Sequence, residues 1–170
     1  MRQQTAVKKL AIASLLTSVA VVGSLVSFPV LGSRCSPVQH MVNILCAVFL
    51  GPWYGLASAF AASLLRNLLG LGTLLAFPGS MVGALMCGLT YWGTRNLGAT
   101  CVGEVFGTGI LGGLAAWPIA NLILGQGVAA WAYMGPFLIS TVGGSVIAGA
   151  VLFALKRSGG LDVMQTLVRR

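Results

Sequence analysis

The charged residues of this chain sit at a few positions, and the gaps between them constrain the fold more than any other feature. No Lys, Arg, Asp or Glu occurs in residues 10–33, 35–65, 67–94 or 105–155, intervals of 24, 31, 28 and 51 residues. A helix rises about 1.5 Å per residue and needs about 20 apolar residues to cross a hydrocarbon layer of about 30 Å. Each of the first three intervals is long enough to cross once, and the last is long enough to cross twice. A water-soluble chain needs charge over its exterior. These intervals offer water only Gly, Ser, Thr and scattered amides, so the bilayer is the expected solvent and residues 1–170 read as one integral membrane domain with short tails.

The net charge of +8 does not point to nucleic acid. Such a partner needs a basic stripe along one surface, and here the basic residues fall only at breaks between apolar runs. Arg2, Lys8 and Lys9 precede an apolar run from Leu10 to about Leu31, the layout of a secretory signal. The run lacks a convincing small-x-small cleavage site and more membrane-like sequence follows it, so it reads as a retained first helix.

Turn signals divide the chain further. The first pass covers about Leu10 to Pro29, and Ser33, Arg34, Ser36 and Pro37 break it. A short run from Gln39 to Leu50 ends at Gly51-Pro52, and further runs cover Trp53–Leu69, Leu74–Trp92, Val102–Leu124 and Trp131–Leu155. The expected fold is an all-α polytopic membrane protein, a compact bundle of six transmembrane helices. Six passes place Arg2, Lys8, Lys9, Arg95, Lys156, Arg157, Arg169 and Arg170 on one side and only Arg34 and Arg66 on the other. By the positive-inside rule both termini are then cytoplasmic in a cell-membrane protein. The 24 glycines, with clusters such as Gly103-x-x-x-Gly107 and Gly112-Gly113, predict helices that approach closely.

Few residues are suited to catalysis or metal binding. Cys35, Cys46, Cys87 and Cys101 have no C-x-x-C spacing and the single histidine is His40, so zinc and iron–sulfur ligation are not expected, nor any cofactor bound by this chain. Glu104, where the fifth run begins, reads first as a structural or interfacial residue, with contact to a helix, partner or ligand as the alternative. An intramembrane hydrolase pairing His40 with Ser63 or Ser80 is conceivable, although no spacing identifies such a pair.

A polar constellation on the outer side is the stronger signal. Arg34, Gln39, His40 and Asn43 surround the start of the second run, and Arg66 and Asn67 end the third. Amides, imidazole and guanidinium offer complementary donors and acceptors, and polar groups in lipid require partners. Most aromatic pairs near loops fit an interfacial belt. Trp117, Trp131 and Tyr133 lie toward the same outer end, with Asn121 and Gln126 close by, and join the candidate site. Rings with a few amides suit a small, largely neutral heterocycle, which argues for recognition rather than turnover.

The segments Ser36-Pro-Val-Gln-His-Met-Val-Asn43, Gly51-Pro-Trp-Tyr-Gly55 and Ser63-Leu-Leu-Arg-Asn-Leu-Leu-Gly-Leu-Gly-Thr-Leu-Leu-Ala-Phe-Pro-Gly-Ser80 closely resemble the ThiW-type S components of energy-coupling factor (ECF) transporters. The resemblance covers most of the chain and is densest from Cys35 to Gly88. It implies a six-helix membrane subunit that captures the thiazole precursor of thiamine, hydroxyethylthiazole, from outside for uptake and thiamine salvage. Thiamine or another vitamin precursor is the alternative within the same class. It also implies partners, a transmembrane coupling protein and two ATP-binding subunits that use ATP, in keeping with the missing phosphate-loop motif in this chain. The same resemblance strengthens Gln39, His40, Asn43, Arg66 and Asn67 as substrate contacts. It suggests Ala13, Thr17 and Ala20 on the first helix as a small-residue face for the coupling protein, with Thr17 departing from an Ala-x-x-x-Ala pattern. A non-transport membrane scaffold is the remaining alternative, and it would show tight packing and no enclosed ligand volume.

Overall fold

The computed structural model describes residues 2–30 and 33–169. Leu31 and Arg170, which entered the reading of the first run and of the charge asymmetry, lie outside the described residues. The chain forms α1 (Arg2–Gly23), a small antiparallel hairpin of β1 (Phe28–Val30) and β2 (Ser33–Cys35), α2 (Pro37–Phe49), α3 (Pro52–Leu68) and α4 (Ala76–Thr94). It continues through α5 (Leu97–Glu104), α6 (Gly113–Pro118), α7 (Met134–Arg157) and α8 (Gly160–Arg169). Two π-helical stretches, Val105–Gly112 and Ile119–Ile123, join α5 and α6 into one apolar rod, Leu97–Ile123.

Local chemistry sets most of these boundaries. Pro37 and Pro52 occupy the first helical turns of α2 and α3, where a missing N–H costs nothing and the fixed φ suits the helix. Asn96 caps α5, its side chain accepting from the Ala99 amide at 3.1 Å.

The expectation of six membrane-crossing helices is corrected. Among the described residues, three helical stretches are long and apolar enough to cross a membrane: Gln3–Val26, Leu97–Ile123 and Met134–Arg157. The 13 residues of α2 rise only about 20 Å, and ten of them are buried among neighbouring helices, as expected of a core helix of that length. The 17 residues of α3 end in a buried Arg66, and α4 is diluted by Pro78, Ser80 and four glycines, Gly79, Gly83, Gly88 and Gly93. A gap free of charge is therefore not the same as an apolar span, because small and hydroxylated residues fill much of it. The first run also ends early: Phe28 pairs with Cys35 and Val30 with Ser33 in the hairpin, so Pro29 stands in a strand.

α2 is central, packed by α1, α3, α4 and α7, while α4 crosses the first π-helical stretch at close range. Backbone proximity explains the glycines there, since a Cβ on Gly112 would stand 2.8 Å from the Gly79 Cα. The long helices turn aliphatic side chains outward, including Leu10 and Val22 of α1, Val102 and Leu122 of the rod, and Val146 and Phe153 of α7. Such a surface suits lipid. The C-terminal segment, expected as a short tail, is helical. Leu161 and Val168 of α8 are buried, and Met164 is partly buried between them, a three-to-four-residue spacing that lays one face against the bundle.

Candidate functional site

Three residues of the first turns of α2 carry the polar site. Gln39 and Asn43 are four apart and share a helix face, with His40 beside them. Fully buried Glu104, in the last turn of α5, organises the group. Its Oε1 accepts from Asn43 Nδ2 at 3.0 Å and Thr108 Oγ1 at 2.9 Å, and lies 2.9 Å from His40 Nδ1. Because the carboxylate accepts, the His40 hydrogen belongs on Nδ1, which leaves Nε2 as the free ring nitrogen. Asn43 Nδ2 also donates to the Ser80 carbonyl at 3.1 Å. The second carboxylate oxygen, Oε2, is buried with no partner among the described residues.

A small cavity lies next to this cluster at the end where α2 and α4 start and α3 finishes. Arg34, Ser36, Gln39, His40, Arg66, Ser80, Thr108 and Phe137 are among the residues lining it. Arg66 Nη1 donates to Gln39 Oε1 at 3.3 Å. Gln39 Nε2, Arg66 Nε and Ser36 Oγ are buried without partners among the described residues. The cavity volume is about 30 Å³, room for one or two waters and well below the usual size of a small-molecule pocket.

Loops and a hairpin cover this end. Arg34 Nη1 reaches the Gly70 carbonyl at 3.4 Å. Asn67 Nδ2 donates to the Ser63 and Thr73 carbonyls at 2.8 and 3.1 Å, which folds the segment after α3 back over its own helix. Asn67 is thus engaged in closing the loop and does not line the cavity. Replacing it with Ala is expected to loosen residues 69–75, read as faster amide exchange in that segment than in α3. On the other side, Cys35 Sγ donates to the Pro136 carbonyl at 3.2 Å, and the Ser36 amide donates to Ser140 Oγ at 2.8 Å. Burial pushes the Cys35 thiol above its ordinary pKa, which keeps it a thiol donor in this contact.

The five residues expected from the later part of the chain, Trp117, Asn121, Gln126, Trp131 and Tyr133, form a separate group. Trp117 Nε1 and Asn121 Nδ2 both donate to the Val128 carbonyl, at 3.0 and 2.9 Å, and Asn121 Oδ1 accepts from the Val128 amide at 2.8 Å. They fasten residues 125–131 to the end of the rod. Trp131 is exposed, and Tyr133 is buried with its hydroxyl bonded to Gln126 Oε1. Tyr133 touches the cavity only through its neighbour, since its ring lies 6.2 Å from that of Phe137, which lines the cavity. Of the expected contacts, Arg34, Gln39, His40 and Arg66 line the cavity, Asn43 stands behind His40, Asn67 closes the loop over it, and Trp117, Asn121, Gln126, Trp131 and Tyr133 do not line it.

Ala13, Thr17 and Ala20 are buried on the face of α1 that meets the bundle. The small-residue stripe is therefore occupied by the chain's own helices, chiefly α2 and α3.

Sequence reasoning gave too little weight to Glu104 and did not consider Thr108, Ser140 or Phe137 as site residues. One signal was available: Glu104 is the only glutamate in the chain, and Thr108 follows it by four residues on the same helical face. The hydrolase arrangement is absent among the described residues. His40 bonds Glu104 rather than a serine, and the Ser63 and Ser80 hydroxyls lie 2.8 Å from each other. No three His, Cys, Asp or Glu side chains come together as a metal site among the described residues.

A protein-family model described as thiamine-precursor transporter protein (ThiW) matches residues 10–158. No curated protein and no solved structure matches the chain.

Proposed function

The chain belongs to the ThiW family of thiamine-precursor transporter proteins, and on that premise we propose that it captures hydroxyethylthiazole as the substrate-binding subunit of an ATP-driven importer. Members of this family are transport components rather than enzymes. A coupling protein in the membrane and two ATP-binding subunits supply the energy in this reading, and the chain itself holds no ATP. The observation that carries it is the set of buried, unpartnered groups at one cavity: Gln39 Nε2, Arg66 Nε and Ser36 Oγ. Leaving such groups unsatisfied costs about 1–3 kcal/mol each, and a small heterocycle with an alcohol and a ring nitrogen supplies acceptors for them.

At about 30 Å³ the cavity is closed to such a molecule. Entry requires the hairpin and the loop after α3 to part, and the Arg34–Gly70 and Asn67–Thr73 contacts are the ones that break. The end bearing Lys9, Arg95 and Lys156 is assigned to the cytoplasm and the Arg34–Arg66 end to the outside, following the distribution of basic residues. For Ala13, Thr17 and Ala20 to meet a coupling protein, α1 must move from α2 and α3, so that contact belongs to a conformation other than this one.

The small volume equally suits a membrane scaffold without a ligand, and one experiment separates the two. Purified protein is titrated with hydroxyethylthiazole, thiamine, the pyrimidine precursor and riboflavin under equilibrium conditions. Saturable, preferential thiazole binding is expected. Replacing Gln39 or Arg66 with Ala is expected to weaken it about tenfold or more, the equivalent of one lost hydrogen bond to a charged or buried group. Preference for thiamine revises the substrate. No saturable binding by a folded sample removes the capture role and leaves the scaffold.

A further inference from the structure

We propose that the end of the bundle opposite the polar cavity binds a phosphate group, with the headgroup of an anionic phospholipid as its favoured source. The inference is independent of the substrate reading. A cavity of about 380 Å³ opens there, more than ten times the volume of the polar one. Lys9 of α1, Arg95 at the end of α4 and Gln165 of α8 line it, together with Trp53, Tyr91 and Trp92. An adjoining cavity shares Tyr91, Arg95 and Gln165 and adds Lys156 of α7. Lys9 and Arg95 therefore border the first volume and Arg95 and Lys156 the second, with Arg95 common to both.

Neither lining contains Asp or Glu, and no carboxylate pairs with these cations among the described residues. Like charges gathered in this way repel, and an anion between them reverses the sign of the interaction. Phosphate suits the donor set: the planar Arg fork binds two of its oxygens and the Lys ammonium adds a point charge.

Arg95 carries a second, separate observation. It is the single non-glycine residue with positive φ among the described residues, at 53°, in the left-handed position that ends α4. Glycine or asparagine is usual there, since a Cβ is unfavourable. An arginine there carries a backbone cost that a glycine would not. The guanidinium lies 5.5 Å from the centre of the Tyr91 ring, and the Tyr91 hydroxyl accepts from Gln165 Nε2 at 2.8 Å, so α4 and α8 together hold it beside the cavity. The positive-inside rule explains basic residues at this end, but it requires neither a cavity nor a strained backbone.

Membrane depth favours a lipid source. Trp53 and Trp92 at the rim are 66% and 60% exposed, the placement of indoles at the headgroup level, and basic pockets between helices at that level hold anionic headgroups.

The test uses the full chain in nanodiscs of phosphatidylcholine with and without phosphatidylglycerol, and in detergent with and without inorganic phosphate. Retained lipid is counted by native mass spectrometry, and unfolding is followed by heating. Phosphatidylglycerol is expected to be retained about tenfold over phosphatidylcholine and to raise the unfolding midpoint. Arg95→Gly relieves the backbone, so it should fold at least as well in phosphatidylcholine while losing the preference. Arg95→Gln should lose it too, and Arg95→Lys should keep part of it. An Arg95-dependent response to inorganic phosphate without lipid preference keeps the site and moves its source to solution. Equal retention of both lipids with no phosphate response, or a full preference in Arg95→Gly, overturns the proposal.

Discussion

Replacing Glu104 with Ala is expected to destabilise the protein by about 3–5 kcal/mol, the summed cost of leaving buried groups without their shared acceptor. The size follows from what the carboxylate serves. His40 Nδ1, Asn43 Nδ2 and Thr108 Oγ1 all meet Oε1 within 3.0 Å, and without it three buried groups lose a partner at once. Thr108 can fall back on the Gly79 carbonyl, 3.3 Å away, and Asn43 on the Ser80 carbonyl. His40 has no second partner of this kind, so the imidazole should be released most. Glu104→Gln keeps the shape and one acceptor, and a loss of about half that size is expected. Thermal unfolding of the purified variants, monitored by circular dichroism, gives the comparison. An Ala variant as stable as the parent would show that Glu104 does not organise this end of the bundle. If the proposed thiazole capture holds, substrate binding supplies a separate readout, since Glu104→Gln should then weaken that affinity through a misplaced His40 even where the protein remains folded.

The second large effect is expected at Gly83 in α4. A Cβ there would collide with Thr108 Oγ1 and stand 2.8 and 2.9 Å from the two Glu104 carboxylate oxygens. The rod cannot retreat freely, because α7 packs against it at Gly109 and Gly113, where an added Cβ would meet Leu138 and Met134. Gly83→Ala should therefore cost about 1–3 kcal/mol by overpacking and disturb the His40–Glu104 contact. Gly93→Ala is the matched control on the same helix. Nothing lies within 4 Å of a Cβ at Gly93, so the gain in helix propensity should leave the protein unchanged or stabilise it by about 0.5–1 kcal/mol. Equal unfolding midpoints for the two variants would refute the packing argument. The contrast tests a general point about this chain, that its glycines are not equivalent although the sequence presents them alike.

Four of the residues singled out from sequence as a polar constellation, Arg34, Gln39, His40 and Arg66, line one cavity. They were legible because polar side chains interrupting apolar sequence have few places to go in lipid except toward one another. Trp117 and Asn121 followed the same reasoning and do not line the cavity. Their polar atoms are satisfied locally by the Val128 backbone, seven to eleven residues away, and a requirement for a partner does not say which partner is used. Glu104 shows the opposite failure. Its partners His40 and Asn43 are 64 and 61 residues distant, and no local pattern connects them. The hairpin escaped for a similar reason, since the charge-free interval that contains β1 says nothing about whether its backbone pairs within a helix or with a neighbouring strand.

What the sequence determined by itself was the solvent. Transfer into hydrocarbon is a sum over residues, so long intervals without charge and ten basic residues gathered at the breaks are sufficient to place the chain in a bilayer. It also determined where the polar groups enter, because proline, glycine and asparagine act on the turns next to them. The tertiary structure decided how many stretches are long and apolar enough to cross, three rather than six among the described residues, and which polar groups meet. Both depend on close approach: a short α2 is stable because other helices enclose it, and Glu104 reaches α2 because glycines let α4 and the rod pack backbone to backbone. Packing of that kind is a property of pairs of elements, and a single stretch of sequence carries no record of its partner's distance.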